Sequence, residues 1–593
     1  MKQEKMTESE IVAFIGRKVE QSLNNDDGDL SQVRKDSFDF YNGEDFGNER
    51  DGYSSIVTRE ALEAVEWALP SMLKPFVSGT KAVVFNPVGM EDEEQAAQDT
   101  EVVNHLLLKE NDGYYLFYCW IKDILMYPNG YVKAWIDESE KVTTESYKGL
   151  NENELTMLSS DPDLEIVEAE SYPETITQQV PNEMGIITEV PVQIELYDVK
   201  CKRTENQRKL VVNNVAPDQL LIDNDLAHIS LDDADFIAHR VRRNFTWLVN
   251  NGYDPDELEK VGLDDKHEWN SERVNRMFYE DENPDTESDD DESMREYWVH
   301  ECYVKLDTDG DGLAENRKIV MIGDKIFENE EYADQPFIAC SAILMSHKHA
   351  GMSLVDIEKT YQQVKSALTR NLLDNVYRIN TRRKYVGENA LVDGGMTMDA
   401  LLNAASEIIP TRDPASIIEE TIQPIIGEIL PAIQEIDKQR RTATGIAPDL
   451  SLDPNVLQQS TEGAYQTALN TASERLETMT RNFAEIGVKP LFRKCHRLIR
   501  EYMDKPLTIK IRGQWADVDP SDWIHRENMD VNVGLGRDGQ GQKINNLMTV
   551  LGMQRETMPL GLSDRQTIFN TSEKIVEAMG EDNPETFFLD PKK

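Results

Sequence analysis

One short string rich in aspartate and glycine has the spacing of a calcium-binding loop. Asp307, Asp309 and Asp311 stand at alternate positions, and Gly312 follows them. An EF-hand loop takes oxygen ligands from its first, third and fifth positions, glycine at the sixth and a bidentate acid at the twelfth. The twelfth position here is Lys318, and residues of strand character flank the string. The sequence therefore favours a tight β-hairpin turn, with a cation site at the three aspartates as the alternative.

Other motifs that carry enzyme chemistry are missing from the sequence. It has no GxxxxGK[ST] phosphate loop, GxSxG nucleophile elbow or HExxH zinc helix. His347 and His349 lie close together, but a zinc site needs further ligands. We therefore expect no enzyme activity, no cofactor and no metal. Any ATP-driven step in which the chain takes part would be powered by another protein.

The charge composition excludes several classes of binding protein. Among 593 residues, 111 are Asp or Glu and 62 are Lys or Arg, for a formal net charge of −49. Proteins that coat or read nucleic acid neutralise phosphates with a basic surface, and anionic membranes also attract basic partners. The sequence has no apolar run of membrane-spanning length, and its five cysteines are dispersed, which is typical of a reducing compartment. We expect no membrane partner.

One region reverses the overall charge balance. Between Lys359 and Lys384 there are seven basic residues and a single acid, Asp374. Two explanations are open: the basic side chains pair with acidic neighbours in an assembly, or they contact a passing polyanion. The seven residues are Lys359, Lys365, Arg370, Arg378, Arg382, Arg383 and Lys384.

The first half of the chain predicts a mixed α+β region. Thr7 and Glu10 have the spacing of a capping box before an amphipathic helix, and another helix is expected from Thr58, bent or restarted at Pro70. Alternating apolar and polar residues predict strands between about 140 and 235. Residues 280–292 are so acidic that we expect a solvated, mobile loop there.

Long helices dominate the sequence after residue 350. Apolar residues recur at steps of three and four over 353–383, which predicts one long helix. A second helix is expected over 424–444, kinked at Pro431 and ended by Gly445. A third is expected from residue 461, interrupted at Gly487 and Pro490. Residues 445–459 form a longer connection than most helix–helix loops, which indicates either a functional loop or an ordinary surface connection.

Several segments, taken in order, resemble the portal proteins of tailed bacteriophages, particularly those of short-tailed phages. The resemblance extends over roughly 500 residues in all. The segments are SSIVTREALEAVEWALPSMLKPF from Ser54, WIKDILMYPNGYVKAW from Trp120, APDQLLID and DDADFIAHRVRR within 216–243, KLDTDGDGLAENRKIV from Lys305, GMSLVDIEKTYQQVKSALTRNLLDN from Gly351 and TGIAPDL from Thr444.

The resemblance implies a channel protein of the virion. Portal proteins form a ring of twelve subunits at one capsid vertex, assembled in the host cytoplasm. Double-stranded DNA passes through the ring without sequence specificity during packaging and ejection. The implied partners are other copies of the chain, the terminase, the capsid or scaffolding protein, and tail or adaptor proteins.

The resemblance also implies a domain plan for this chain. A mixed wing with β-rich insertions, a long-helix stem, a small α/β clip and a helical crown would follow one another. The ranges are 1–350 for the wing, 351–383 for the first stem helix, 384–416 for the clip, 417–444 for the second stem helix, 445–459 for the tunnel loop, 460–550 for further wing helix and strands, and 551–593 for the crown.

Specific residues receive roles within this plan. Leu368 and Leu372 are expected to seal helix against helix in the stem, where Arg370, Arg378, Arg382 and Arg383 are the basic residues. The residues expected to define the tunnel loop are Gly445, Pro448, Asp449, Asp453, Pro454 and Asn455.

Three alternatives compete with the portal interpretation. The first is another virion component, such as a head–tail adaptor or an internal structural protein. The second is a metal-dependent enzyme that uses Asp307, Asp309 and Asp311. The third, a DNA mimic, is disfavoured because the acidic residues are dispersed along the chain rather than arrayed in one region.

Overall fold

The structure is a computed structural model of the chain. It describes residues 6–25, 30–77, 81–87, 89, 92–160, 164–181, 187–223, 225–261, 295–381, 384–387, 412–419, 421–446, 474–503, 507–511, 514–520, 523–526, 529–531, 539–579 and 587–588. The expected acidic loop at 280–292 lies outside these residues.

Thirteen α-helices are named here in the described part of the chain. They are α1 (Glu8–Asn25), α2 (Ser31–Asn42), α3 (Glu60–Val77), α4 (Glu93–His105), α5 (Gly113–Met126), α6 (Glu152–Ser159), α7 (Phe245–Asn250), α8 (Pro255–Leu258), α9 (Leu354–Asn380), α10 (Ile426–Thr444), α11 (Lys489–Tyr502), α12 (Gly539–Thr557) and α13 (Arg565–Met579). None of the helices described is long and apolar enough to cross a membrane.

Fifteen strands accompany these helices, and every strand pairing is antiparallel. They are β1 (Val83–Phe85), β2 (Gly130–Leu150), β3 (Leu164–Pro181), β4 (Ile187–Val215), β5 (Leu220–Ile222), β6 (Phe236–Asn244), β7 (Glu296–Leu306), β8 (Glu315–Ile322), β9 (Lys325–Glu331), β10 (Phe337–Cys340), β11 (Lys384–Val386), β12 (Ile417–Glu419), β13 (Leu507–Ile511), β14 (Gln514–Val518) and β15 (Met529–Val531). The expected α+β class is therefore confirmed.

The largest hydrophobic core lies between α3, α4, α5, α11 and the start of β2. Its centre is aromatic: the Phe483 ring meets Trp120 edge-on at 4.9 Å and Phe76 at 5.2 Å between centroids. The helix expected from Thr58 begins at Glu60 and continues through Pro70 without ending there. Packing of the buried face on α5 maintains the helix, since tertiary burial outweighs the local cost of its two prolines, Pro70 and Pro75.

The interruption expected at Gly487 and Pro490 is present only as a π-helical turn that contains Gly487. The chain stays helical from residue 474 to Tyr502, with a π-helical turn at Phe483–Val488 just before α11. Pro490 lies two residues after the π-helical turn, within this continuous helical stretch. A Cβ on Gly487 would lie 3.1 Å from the Trp120 ring, so this glycine permits close packing instead of ending the helix.

A long antiparallel ribbon projects from the first sheet, whose strand order is β10-β2-β4-β3. β4 has 29 residues and pairs with β2 over residues 197–215 and with β3 over residues 187–203. The ribbon's prolines stand where a strand lacks a partner on one side: Pro173 and Pro181 on the edge strand β3, and Pro191 on β4 beyond the reach of β2. Proline is tolerated there because an edge position needs no donated ladder bond.

The second sheet, ordered β5-β6-β7-β8-β9, is covered by the N-terminal helix. Ile11, Ile15 and Val19 of α1 pack against Phe236 and Cys302 of this sheet. The Glu10 carboxylate accepts the Thr7 backbone N–H at 2.9 Å, which is half of the expected capping box. A further core joins the two sheets around Tyr131, Tyr303 and Phe337.

A buried charge network attaches the later part of the chain to this body. Arg526 is fully buried and donates to the carboxylates of Asp92 and Asp99. His496 of α11 lies 3.3 Å from Asp99 and stacks on Trp523 at 5.0 Å between centroids. The residues at 523–526 are thereby tied to α4 and α11.

We expect Arg526→Leu to lower the free energy of unfolding by about 3–5 kcal/mol, because two buried carboxylates lose their cation. Urea unfolding, followed by circular dichroism, measures the loss. Arg555→Leu, at an exposed position on α12, is the control and should change stability by less than about 0.5 kcal/mol. Equal stability of the two variants would contradict the structural role of the network.

The last two helices pack on each other as a helical hairpin. The two helices carry exposed Met548, Met553 and Met579, and Leu562 in the connection between them is also exposed. The boundary expected between residues 550 and 551 falls inside α12, so the hairpin begins earlier than the sequence plan placed it.

Candidate functional site

Two long helices, α9 and α10, run antiparallel and form what we call the long-helix pair. Lys365 Nζ lies 2.8 Å from an Asp437 carboxylate oxygen, and the Asn375 side chain bonds to the backbone of Gln423 and Ile425 near the far end. Ser353 caps α9 through a reciprocal capping box with Asp356. The helix expected over 353–383 is therefore present, ending at Asn380.

The face of α9 that packs on the body of the protein is polar. Gln362, Ser366 and Arg370 are buried at successive turns. Gln362 accepts the Ala61 N–H at 2.9 Å and donates to the Phe40 carbonyl, while Ser366 pairs with Thr58. These side chains satisfy backbone groups next to α3 and at the end of α2. The sequence-based plan, which considered only the apolar row, missed this face although its i, i+4 spacing is regular.

The apolar row of α9 is only partly covered in the single chain. Leu368 and Leu372 are half-buried. The exposed members are Val364, Val376 and Tyr377 of α9, joined by Ile426 and Leu430 of α10, each at least 39% exposed. A helix pair that leaves so much apolar surface in solvent is typical of an element that packs against another chain.

Three of the four basic residues in the described helix α9 are paired with acids. Lys359 binds Asp356 at 2.9 Å, Lys365 binds Glu60 as well as Asp437, and Arg370 binds Glu49 at 2.6 Å. Arg370 also donates to the Asn48 side chain and the Ile56 carbonyl. These contacts favour the first of the two explanations, pairing with acidic neighbours. The acidic partners belong to the same chain, whereas the sequence analysis expected them in an assembly.

Arg378 is half-buried in the last turns of α9. Arg382 and Arg383 lie outside the described residues.

A group of charged side chains lies where the long-helix pair meets α3, and we call it the charge cluster. Its members are Glu60, Glu63, Glu358, Lys365, Asp437 and Arg440. The Arg440 guanidinium contacts the Glu60 carboxylate and lies 3.2 Å from Glu63. Glu358 is completely buried, and its closest cationic atom is Arg440 Nε at 3.9 Å. Burial and the nearby carboxylate of Glu63 raise the pKa of Glu358 to about 8, although Lys365 opposes the shift.

The end of α10 introduces the segment expected to be the tunnel loop. Gly445 ends the helix in the left-handed conformation with φ +74°, and its N–H bonds to the Arg441 carbonyl at 2.9 Å, as the sequence predicted. Thr444 and Ile446 are fully buried beside it, so the start of the segment is anchored. The remaining residues assigned to the loop, which lie outside the described residues, are Pro448, Asp449, Asp453, Pro454 and Asn455.

The residues between the two long helices include one short strand pair. β11 pairs with β12 in the register Lys384 to Glu419. The pair therefore includes residues 417–419, which the sequence plan gave to the second stem helix. Tyr385 and Ile418 in this pair are 57% and 63% exposed.

The aspartate string forms the loop between β7 and β8, which pair up to Leu306 and Glu315. The two Asp307 carboxylate oxygens accept the N–H groups of Gly310 and Gly312 at 2.7 and 2.9 Å. The predicted hairpin turn is confirmed.

The cation alternative retains some support in the geometry. One carboxylate oxygen from each of Asp307, Asp309 and Asp311 lies within 4.8 Å of the others. The position of the twelfth ligand is occupied by Lys318, which binds Glu328 across the sheet at 2.9 Å. The loop therefore lacks the bidentate acid of an EF-hand.

Comparison with known proteins places this architecture in a family. The sequence model of the phage SU10 portal protein matches residues 11–593, nearly the whole chain. A search of curated proteins gives no significant match. The family match confirms the resemblance drawn from the sequence and decides against a head–tail adaptor, an internal virion protein or a DNA mimic. The chain belongs to the phage SU10 portal protein family, whose members are structural components of the capsid vertex through which the viral genome is packaged.

Proposed function

We propose that twelve copies of this portal subunit form a ring in which the long-helix pairs line a DNA channel. The observation that carries the proposal is the set of exposed apolar side chains on α9 and α10, including Val364, Val376 and Leu430. Apolar side chains at these positions gain about 25 cal/mol for each Å² removed from water, which a neighbouring copy would provide. Residues 351–380 and 426–444 would then be the two stem helices.

The dimensions of such a ring suit a DNA duplex. Twelve helices of about 10 Å diameter on the inner wall give a circumference of about 120 Å, and helix axes at a radius of about 19 Å. Subtracting half a helix leaves a bore of about 28 Å. The pairing of Lys365 and Arg370 with acids also suits this role, since a wall with free cations would hold phosphates and slow sliding DNA.

The other segments receive roles from the same plan. The exposed Tyr385 and Ile418 at the strand pair would dock the terminase and later the tail or adaptor proteins. The helical hairpin of α12 and α13 would form the crown inside the head. The described parts of residues 1–350, with the two sheets and the ribbon, would form the wing that faces the capsid or scaffolding protein.

Electron microscopy of the purified protein, together with native mass spectrometry, tests the ring directly. We expect rings with an axial hole and a mass of twelve subunits, or a closely related number in isolation. A protein that stays monomeric over the concentration range of virion assembly would contradict the proposal.

Ring assembly should also depend on ionic strength. A ring of twelve carries twelve times the −49 of one chain, so its subunits repel one another at low salt. Raising the salt from about 10 mM to about 150 mM shortens the Debye length from about 30 Å to about 8 Å. We expect the ring fraction in sedimentation velocity runs to rise over this range. A ring fraction that falls with added salt would indicate that ion pairs, not apolar contacts, hold the ring.

A further inference from the structure

The charge cluster has more acids than bases, and one of its acids has no hydrogen-bond partner. Glu60 and Glu63 come from α3, Glu358 from α9 and Asp437 from α10. The two cations, Lys365 and Arg440, are occupied by other carboxylates: Lys365 by Glu60 and Asp437, and Arg440 by Glu60 and Glu63. Both carboxyl oxygens of Glu358 are buried without a hydrogen-bond partner.

In the described part of the chain, the elements around the cluster supply too few cations to balance its acids. α2, which also packs on α9, contributes the buried Arg34. α5 contributes Lys122, which binds Glu66 at 3.0 Å. Even with Arg34 included, the four carboxylates outnumber the three cations. An ionised carboxylate with no donor in a fully buried position is costly, and uptake of a proton removes this cost.

We propose that the charge cluster binds one proton, carried by the Glu358 carboxyl at neutral pH, and that this proton stabilises the docking of the long-helix pair on α3. The proposal concerns contacts within one chain and is independent of ring formation. Release of the proton leaves an unpaired negative charge beside Glu60 and Glu63, which favours separation of α9 and α10 from α3. Because α10 leads directly to Gly445, the docking of this helix end also fixes the position at which the following segment begins.

The direction of the pH effect follows from linkage. The pKa of Glu358 is raised from 4.5 to about 8 in the folded chain, chiefly by burial. Between these values the folded chain keeps a proton that the unfolded chain releases, so stability falls as the pH rises. The contribution is fully present below the unfolded pKa and is lost once the pH passes the folded pKa. Above that pH the curve levels off.

The first test compares the full-length protein with E358Q, which keeps the shape of the side chain and cannot ionise. Infrared spectra of the wild type should show the band of a protonated carboxyl at pH 7 that disappears at pH 9 and is missing from E358Q. The thermal unfolding midpoint of the wild type, measured relative to E358Q, should fall from pH 5 to pH 8 and then level off. Subtraction cancels other groups that titrate in this range, such as Lys494, whose pKa burial lowers to about 8.

Two further variants complete the test. E435Q removes an exposed carboxylate of α10 outside the cluster and should retain the wild-type pH profile and infrared band. E63Q removes the nearby negative charge that most raises the pKa of Glu358, so the loss of the band should move to lower pH. This shift tests the proposal even if E358Q does not fold. An unchanged pH profile in E358Q, or a band that E63Q leaves in place, would overturn it.

Discussion

Rings are not expected to form in a Leu372→Asp variant, because the substituted carboxylate would lie within the contact between stem helices. An unpaired charge buried at each contact costs about 3–5 kcal/mol, and every subunit of a ring makes two such contacts. Leu372 is half-buried in the single chain, so a neighbouring subunit must bury the rest of its side chain. Native mass spectrometry should find monomers where the wild type gives rings.

A second variant separates assembly from folding. Val364 is 44% exposed in the single chain, so Val364→Asp should leave the monomer folded, with an unchanged circular dichroism spectrum, while preventing rings. Gln363→Asp, at the adjacent exposed position, places the same charge outside the apolar row and should still assemble. Intact rings from both Leu372→Asp and Val364→Asp would show that the apolar row does not form the stem contact.

Deletion of Ser451 to Val456 is expected to abolish packaging or retention of full-length DNA while leaving rings intact. The proposed tunnel loop contains Asp449, Asp453 and Asn455 but no Lys or Arg, so it cannot grip phosphates by charge. We propose that it acts sterically, closing around the duplex and limiting backward slip. Packaged DNA length in particles assembled with the variant measures the effect, and electron microscopy checks the ring.

A double variant, Asp449→Asn with Asp453→Asn, is the matched control for this deletion. It removes the two charges and retains the length of the loop and both prolines, so a steric mechanism predicts normal packaging. If deletion particles package and retain full-length DNA, the tunnel-loop role is wrong even if the ring is confirmed. A packaging defect in the charge variant equal to that of the deletion would also contradict a steric role.

Local patterns predicted many elements of this fold. Apolar steps of three and four fixed the position of α9 to within a few residues, and Gly445 ends α10 because a glycine readily adopts positive φ. The Asp-Gly string predicted the turn between β7 and β8 because short acidic side chains accept backbone N–H groups nearby. Each of these signals depends on residues that lie within a few positions of one another in the sequence.

Other features escaped the sequence analysis because they depend on distant residues. The inward face of α9 is the polar row of Gln362, Ser366 and Arg370, whose partners lie about 300 residues earlier in the chain. From its neighbours in the sequence, Gly487 is expected to interrupt a helix. In the structure it lets the Trp120 ring pack closely against the helix. The helix α2 also went unrecognised, since its sequence has few apolar residues and its cover comes from α3, α5 and α9.

The sequence by itself determined the family, the α+β class and the long helices. These follow from residue order and periodicity, which act over a few turns of chain. Only the tertiary structure decided which face of α9 is buried, that Lys359, Lys365 and Arg370 are paired with acids, and that the Glu358 carboxyl has no hydrogen-bond partner. The charge and burial of a side chain depend on neighbours from other helices, and no pattern within one helix determines them.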